Sequence, residues 1–347
     1  MNTSTENKWL IPLAGMSLDK LKEVAKELEL PSFRAGQIAK WIYTKRVTDI
    51  DEMTDLSKGN RERLKEHYCV GLEAPTESAC STDGTVKYLF TTNDGNAIES
   101  VFIPDKERAT LCISSQKGCK MNCTFCMTGR QGFRGNLTAN QIINQILSVP
   151  NAEDLTNVVF MGMGEPMDNL DAVIETLEIM TADWGLAWSP KRITVSTIGK
   201  IPELKRLIET TDVHIAISIH SPFHEERLAI MPVENAYPAK DVMELLKKYD
   251  FSHQRRLSIE YIMWDGFNDD IVHAEALSKL LRAPKLRVNL IRFHSIPGSK
   301  LRASSTERME SFRDFLSGRG LLSTIRRSRG EDIMAACGML AGKKNVK

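Results

Sequence analysis

From residue 109 onward the chain alternates between two hydrophobic periods, and this limits the fold more than any other feature. Apolar, β-branched runs lie at 109–115 (ATLCISS), 156–162 (TNVVFMG), 191–197 (KRITVST), 213–219 (VHIAISI), 257–263 (LSIEYIM) and 286–293 (LRVNLIRF). Helical patterns fall near 139–148, 169–181, 201–210, 237–249, 271–282 and 306–318. Strand followed by helix, six times over, predicts a parallel α/β architecture, which a doubly wound sheet or a partial barrel would satisfy. Polar residues sit at the ends of several strands: a cysteine cluster after the first, GEP after the second, Ser196 after the third, and Ser218 and His220 after the fourth. Asn289 lies in the sixth. Sites assembled from the C-terminal ends of many strands are the habit of barrels, which favours a partial (β/α)6 barrel.

Upstream the period differs. Ser17 can cap LDKLKEVAKELEL (18–30), and Pro31 stops it; FRAGQIAKWIYTK (33–45) and a stretch from about 58 to 68 read as two more helices. These are too short to be stable singly, so residues 1–75 are expected to pack as a small module with Arg34, Lys40, Lys45 and Arg46 facing solvent. VKYLFTT and AIESVFIP, separated by NDG, predict a β-hairpin within 76–108, read as a hinge before a main domain spanning 109–347.

The segment GCKMNCTFCMTG places Cys119, Cys123 and Cys126 at C-x3-C-x2-C spacing. Three thiolates on one loop are soft ligands for zinc or iron–sulfur. A structural zinc site takes a fourth protein ligand, and none completes a tidy set: Cys112 lies on the preceding strand and the next histidine is His214. In a [4Fe–4S] cluster three thiolates leave one iron open to a small molecule. There are seven cysteines in all, an odd number with three inside eight residues, which is unlike a secreted disulfide framework and points to a reducing, cytoplasmic setting. The opening MNTSTENKWLIPLAG lacks the pattern of a signal peptide, and no apolar stretch approaches the ~20 residues that span a bilayer, so no membrane partner is expected. Lys plus Arg number 46 against 45 Asp plus Glu, a net charge of +1. That excludes a wholesale polycation but leaves open a local nucleic-acid face.

A chain with this cysteine spacing after its first barrel strand resembles the radical S-adenosylmethionine (SAM) enzymes. In that superfamily the open iron chelates the methionine portion of the cofactor, and the reduced cluster cleaves it to a 5′-deoxyadenosyl radical. A narrower resemblance runs through most of the chain: ATLCISSQKGCKMNCTFCMTGRQGFRGNLTANQI (109–142), NVVFMGMGEPMDN (157–169), RITVSTIG (192–199), AISIH (216–220), VNLIRFHSIPG (288–298) and IRRSRGEDIMAACGMLAG (325–342). Together these are similar to the dual-specificity adenosine C2 methyltransferases of 23S rRNA and tRNA, which modify adenosine 2503 and adenosine 37 in the standard RNA numbering. The related C8 methyltransferases share most of this machinery and form the alternative reading; a zinc-stabilised, non-catalytic RNA-binding protein is the alternative from another class.

The resemblance implies roles residue by residue. Cys119, Cys123 and Cys126 would hold the cluster. Cys337 occupies the position of a cysteine that is itself methylated, and Cys112 that of a partner which frees the RNA through a transient disulfide. Glu99 matches a proton acceptor from the base carbon. Gly164 and Glu165 would meet the amino-acid portion of SAM and Ser196 its ribose. Ser218, Ile219 and His220 would surround the adenosyl group, with Asn289 completing the pocket. An electron donor of the flavodoxin or ferredoxin type and a monomeric state are also expected. Arg292 stands where many C2 members carry proline, which would put a cation near the cofactor mouth. Cys69 and Cys80 match no assigned position and read as structural thiols.

Residues 301–330 contain seven arginines, Arg302, Arg308, Arg313, Arg319, Arg326, Arg327 and Arg329, and this run precedes the Cys337 loop. It is expected to contact RNA phosphates beside the reacting base, with Lys117, Lys120, Arg130, Arg134 and Lys191 adding charge near the cluster. RAGQI (34–38) belongs to the part that resembles the family's helical RNA-binding appendage.

Overall fold

The computed structural model describes residues 10–92, 94–251, 257–282 and 285–342; Asn93 of the expected NDG turn and the first nine residues of the N-terminal segment lie outside these. The chain forms two compact units. The smaller gathers residues up to Ala74 together with Leu137–Ala152 and Asp171–Trp188, and the larger holds Pro75–Asn136, Glu153–Leu170 and everything from Ser189 on. The helical module is therefore larger than the 1–75 segment expected from the sequence.

In the smaller unit, the Ser17 hydroxyl accepts from the Lys20 amide at 3.4 Å and starts α1 (Leu18–Glu27). The helix ends before Pro31 because Glu29 adopts a positive φ of 51°. Next, α2 (Arg34–Ala39) runs into a π-helical turn over Lys40–Thr44 that buries Trp41, Ile42 and Tyr43, and α3 (Lys58–Lys65) follows. Two helices from the alternating region belong here as well, α4 (Ala139–Leu147) and nearly all of α5 (Leu170–Thr181). Side-chain amides stitch them in: Asn140 Nδ2 donates to the Ala14 and Gly71 carbonyls at 2.9 and 2.8 Å, and Asn144 exchanges two bonds with the Glu73 backbone. Gly15 lies so close to the backbone of Asn140 that a Cβ would fall 2.3 Å from its nitrogen.

The larger unit is organised by one ten-stranded sheet, β1 (Glu77–Cys80), β2 (Val86–Thr91), β3 (Ala97–Asp105), β4 (Arg108–Cys112), β5 (Asn157–Phe160), β6 (Ile193–Thr197), β7 (His214–Ser218), β8 (Leu257–Met263), β9 (Leu286–Arg292) and β10 (Leu322–Arg326). Each strand pairs with its neighbours in sequence. Strands β4 to β10 are all parallel, and β1 to β3 extend the sheet in antiparallel fashion. Helices α6 (Ile201–Thr210), α7 (His224–Ile230), α8 (Ala239–Leu246), α9 (Ile271–Leu280) and α10 (Thr306–Gly318) lie in the connections. Strand β8 is buried at every position, as expected of a parallel strand covered on both faces.

The α/β partial-barrel class holds, with two differences of detail. A seventh parallel strand, β10, follows the six expected, and the hairpin read as a hinge is continuous with the barrel sheet: β3 pairs with β4 from Val101↔Cys112 to Asp105↔Arg108. Ladder hydrogen bonds along that register exclude a hinge there. The sheet has free edges at β1 and β10, yet β4 to β10 all contribute to one cavity at their C-terminal ends, so it curls without closing.

Candidate active site

The loop after β4 carries the three closely spaced cysteines. It leaves the strand through a two-stranded ribbon, Gln116–Gly118 against Phe133–Asn136, whose approach demands glycine: a Cβ on Gly118 would sit 1.9 Å from the Gly132 carbonyl oxygen. Asn122 takes a positive φ of 51° between Cys119 and Cys123, and Cys126 leads into one helical turn, Met127–Arg130. All three sulfur-bearing residues line one cavity of about 190 Å³.

The C-terminal segment is tied to this loop directly. Met127 N–H donates to the Gly338 carbonyl at 2.8 Å, and the Thr128 hydroxyl donates to the Leu340 carbonyl at 2.7 Å. Cys337, exposed, thereby reaches the same cavity as Cys112, buried at the end of β4. The antiparallel extension supplies the other anchors. Ser81 Oγ donates to Asp332 Oδ1 at 2.5 Å, Thr82 N–H donates to Asp332 Oδ2, and Gly330 N–H donates to Asp83 Oδ2. Glu99 on β3 accepts from the Ala341 and Gly342 amides at 2.7 and 2.9 Å through Oε2, while Oε1 pairs with Lys87 Nζ at 3.1 Å. Strands β1 to β3 thus hold the loop that carries Cys337.

Successive strand ends complete the wall. Gly164, with φ +101°, lies where a Cβ would be 2.5 Å from Gln116 Cβ. Glu165 is buried, accepts from Thr197 Oγ1 at 2.5 Å and from the Met167 and Ile198 amides, and burial pushes its carboxyl up to about 7. Ser196 and Ser218 line the cavity. His220 Nδ1 accepts from Ile262 N–H at 3.0 Å, which leaves Nε2 as the protonated nitrogen; burial, reinforced by Arg227, holds the ring neutral with a pKa down to about 3. The Phe125 ring meets it edge-on at 5.0 Å. Burial pushes the Cys112 and Cys119 thiols up to about 12 and Cys123 well above its ordinary value.

The chain matches the family model "Radical SAM superfamily" over residues 113–277 and "Ribosomal RNA large subunit methyltransferase N-terminal domain" over residues 11–70. It is 57% identical to a probable dual-specificity RNA methyltransferase RlmN of Parabacteroides distasonis, covering 96% of this chain and 97% of that one. A protein of the same description from Bacteroides thetaiotaomicron is 59% identical, over 96% of both chains. The chain belongs to the RlmN family of RNA methyltransferases. A solved radical SAM methyltransferase from Sphaerobacter thermophilus superposes with a TM-score of 0.90 at 36% identity, covering 96% of this chain and all of that one.

As a radical SAM member the RlmN-type chain takes a [4Fe–4S] cluster and S-adenosylmethionine. Its donor set fits in kind: three free thiols, on one loop, border one pocket. A cubane takes one thiolate on each of three irons, so it calls for sulfurs spread round a pocket. Metal binding would displace the protons that burial otherwise keeps on Cys119 and Cys123.

Not every expected residue lines the cavity. Glu99 is engaged with Lys87 and the C-terminal amides instead. The Ile219 side chain is buried and not part of the cavity lining, and its amide bonds the Glu260 carbonyl. Asn289 sits deeper in the barrel, donating to Glu260 Oε1 at 2.7 Å and accepting from Thr324 Oγ1 at 3.1 Å. Arg292 turns away to the Ser304 carbonyl and Thr306 hydroxyl, so it brings no cation to the mouth. All seven cysteines are free thiols, with Cys69 half-buried and Cys80 exposed, so no resting disulfide links Cys112 to Cys337.

Four arginines of the expected RNA-facing run also make ion pairs within the protein. Arg302, Arg308, Arg313 and Arg329 pair with Asp265, Asp269, Asp314 and Asp105. Lys117 pairs with Asp94, and Arg130 binds the Pro297 carbonyl. Arg326, placed in that face by its sequence neighbours, instead enters the cavity from β10 and bonds Glu260 Oε2 at 3.4 Å. Arg326 and Glu260 are the residues sequence reasoning missed. A glutamate inside the apolar run LSIEYIM was the available signal, since a charge on a fully buried strand needs a partner.

Proposed function

We infer that this enzyme methylates C2 of adenosine, at adenosine 2503 of 23S rRNA and adenosine 37 of a subset of tRNAs, through a methyl group carried on Cys337. The observation that carries the reading is that Cys112 and Cys337, 225 residues apart in sequence, border the same cavity as Cys119, Cys123 and Cys126. Adenine C2 is a hydrogen-bearing aromatic carbon and a poor nucleophile, so a polar transfer from SAM does not serve it.

When bound, the cluster and SAM supply the methyl group and a hydrogen-abstracting radical. The protein's residues do the rest. Cys337 Sγ holds the methyl group, and its exposure lets an extruded base approach from solvent. Glu165, Ser196, Ser218 and His220 border the space for the cofactor. Cys112, buried at the border of the same cavity, would attack the Cys337 sulfur once its own thiol has lost its proton; an S–S bond forms as the bond from Cys337 sulfur to the product carbon breaks, that carbon keeping the electron pair and then taking a proton. Glu99 anchors the C-terminal loop at rest, and accepting a proton from the base would require it to leave the Ala341 and Gly342 amides. The cytoplasm, a flavodoxin or ferredoxin donor and a monomeric state complete the reading; no helix among the described residues is long and apolar enough to cross a membrane.

The test is product analysis. Enzyme reconstituted under anaerobic conditions is given rRNA fragment and tRNA, and the digested nucleosides are resolved by chromatography and mass spectrometry. 2-Methyladenosine from both RNAs is expected. A product that is purely 8-methyladenosine overturns the regiochemistry, and stoichiometric zinc without iron in anaerobically purified protein overturns the enzyme reading itself.

A further inference from the structure

The same seven parallel strands open at their N-terminal ends into a second cavity, of about 1370 Å³, which the methyl-transfer chemistry does not use. Arg108, Asn157, His214, Leu257, Leu286 and Leu322 stand there, each the first residue of its strand. Its wall carries Arg108, Lys191, Arg282, Lys285, Arg287 and Arg319, with Arg326 at the floor, against a single carboxylate among the described residues, Glu260. That carboxylate is already engaged by Asn289 and Arg326.

Among the described residues none of the six wall cations forms an ion pair with a carboxylate. Arg108 reaches only the neutral Asn157 amide oxygen at 3.4 Å, and Arg319 stacks on Phe315. Arg287 Nε is buried with no hydrogen-bond acceptor. Elsewhere the chain pairs its arginines with aspartates, as at Arg302, Arg308, Arg313 and Arg329, so this concentration of unmatched charge is local. Like charges around a concave, low-dielectric wall focus a positive potential into the cavity and repel one another until an anion enters. A buried guanidinium N–H without an acceptor is an unmet donor that such an anion would satisfy.

We propose that the N-terminal mouth of the barrel is a binding site for a compact oligophosphate, a di- or triphosphate chain free or carried on a nucleoside. Four of the wall cations are arginines apart from Arg326, and their planar forks match phosphate oxygens two at a time, which suits several anionic groups linked in a short chain. The cations gather around one cavity at the strand starts instead of lying along a stripe, which suits a compact anion better than an extended backbone, and Phe251, Leu257, Leu281, Leu286 and Leu321 supply apolar wall between them. Such a wall is where the base of a nucleotide would lie.

The test uses anaerobic holoenzyme without RNA, so it does not depend on the methylation reading. Calorimetric titration with inorganic tripolyphosphate and, separately, with ATP, both in chelator to exclude magnesium complexes, should show saturable one-site binding that weakens steeply with salt. Arg287→Ala combined with Arg319→Ala should weaken it at least about tenfold, and Arg287→Lys, which keeps the charge, should fall between. ATP binding equal to tripolyphosphate assigns the site to the phosphate chain alone; tighter ATP binding adds the apolar wall as a base subsite. Absence of binding by either probe overturns the proposal, as does undiminished binding by the charge-deleted variant with its circular dichroism unchanged. A short single-stranded RNA that binds through Arg287 and Arg319 where tripolyphosphate does not overturns it in favour of RNA.

Discussion

The two ends of the barrel are made by the same seven strands and could hardly differ more. At the C-terminal ends, Cys112, Phe160, Ser196, Ser218, Ile262, Ile291 and Arg326 close on about 190 Å³ of thiol, apolar and hydroxyl surface. At the N-terminal ends, the cavity is about 1370 Å³ and its charged groups are almost all cations. Between them lies one polar layer, in which Glu260, Asn289 and Thr324 share a register across β8, β9 and β10 and bond in series, with Arg326 bonded to Glu260 at its upper edge. Val159, Met161, Glu260 and Arg326 border both cavities. The difference teaches where each kind of chemistry can live. A radical has to be kept from water, and the smaller, thiol-lined mouth is roofed by a C-terminal loop fastened to the antiparallel extension. The larger mouth has no such roof in the described residues, and its wall favours an ionic ligand.

The strongest break in the comparison is chemical. Cys337→Ala should lower RNA methylation by on the order of 10³-fold or more while SAM binding and reductive SAM cleavage persist, because in the proposed reaction the residue carries the methyl group without holding the cofactor. Methylated RNA from that variant, measured with radiolabelled SAM, would remove Cys337 from its role. Cys112→Ala should instead leave protein covalently attached to RNA, visible as a shifted band that survives denaturing gel electrophoresis. Next in size is the roof. Lys87 and Glu99 form an ion pair with side chains 8% and 2% exposed. Lys87→Met leaves a buried carboxylate without its cation and should cost about 3–5 kcal/mol in denaturant unfolding, most of which Lys87→Met combined with Glu99→Gln should restore. The single variant should also speed alkylation of Cys337 as the loop loosens; unchanged alkylation would mean that Glu99 does not anchor it.

The comparison also explains what was legible in the sequence. The barrel strands were, because a strand buried on both faces must read as an apolar run, and LSIEYIM does so over its whole length. Strand β10 was not: LSTIR lies at the sheet edge, with Leu322 exposed and only Ser323 fully buried, so its pattern is that of a loop. The cysteine loop was legible as a ligand set from local spacing alone. The place of Asn289 was not, since depth in a barrel depends on the stagger between β8 and β9, where Asn289 falls level with Glu260, and stagger is non-local. Ile219 lies just past the end of β7, where the backbone leaves the strand and His220 takes a positive φ of 62°, so its side was not legible from alternation. The ion pairs of the arginine run were not legible either. Counting charge along a chain says nothing about the aspartates folding brings alongside, and Asp265, Asp269 and Asp105 are brought there by other elements.

A smaller effect separates the mouths by pH. His220 has a folded pKa of about 3 against an ordinary value of 6.5, held down first by burial and then by Arg227. The unfolded chain therefore binds the proton more readily than the native one. The associated stability is complete above pH 6.5 and is lost as pH falls from there toward 3, by at most about 1.4 kcal/mol per pH unit. Unfolding midpoints at pH 7.5, 6.0 and 5.0 should decline on this account, and His220→Asn should flatten that portion of the curve. An unaltered slope in the variant would show that the imidazole is not held neutral at the C-terminal mouth.

The smallest expected effect belongs to the other mouth and has the opposite sign. Removing Lys87 from beneath the roof destabilises, because its partner Glu99 is buried. At the N-terminal mouth a cation's neighbours are other cations, so deleting one relieves repulsion. Lys285→Ala should raise stability by a few tenths of a kcal/mol at low ionic strength, and the gain should vanish at about 1 M salt, where the Debye length shrinks to about 3 Å. Thermal unfolding of both proteins at low and high salt checks this. A destabilised variant, or a salt-independent gain, would mean that Lys285 has a carboxylate partner and that the mouth is less cationic than its lining makes it. An oligophosphate at saturating concentration should reverse the sign, since the lysine then has an anion to face, and that reversal connects the stability of the empty mouth to the ligand inferred for it.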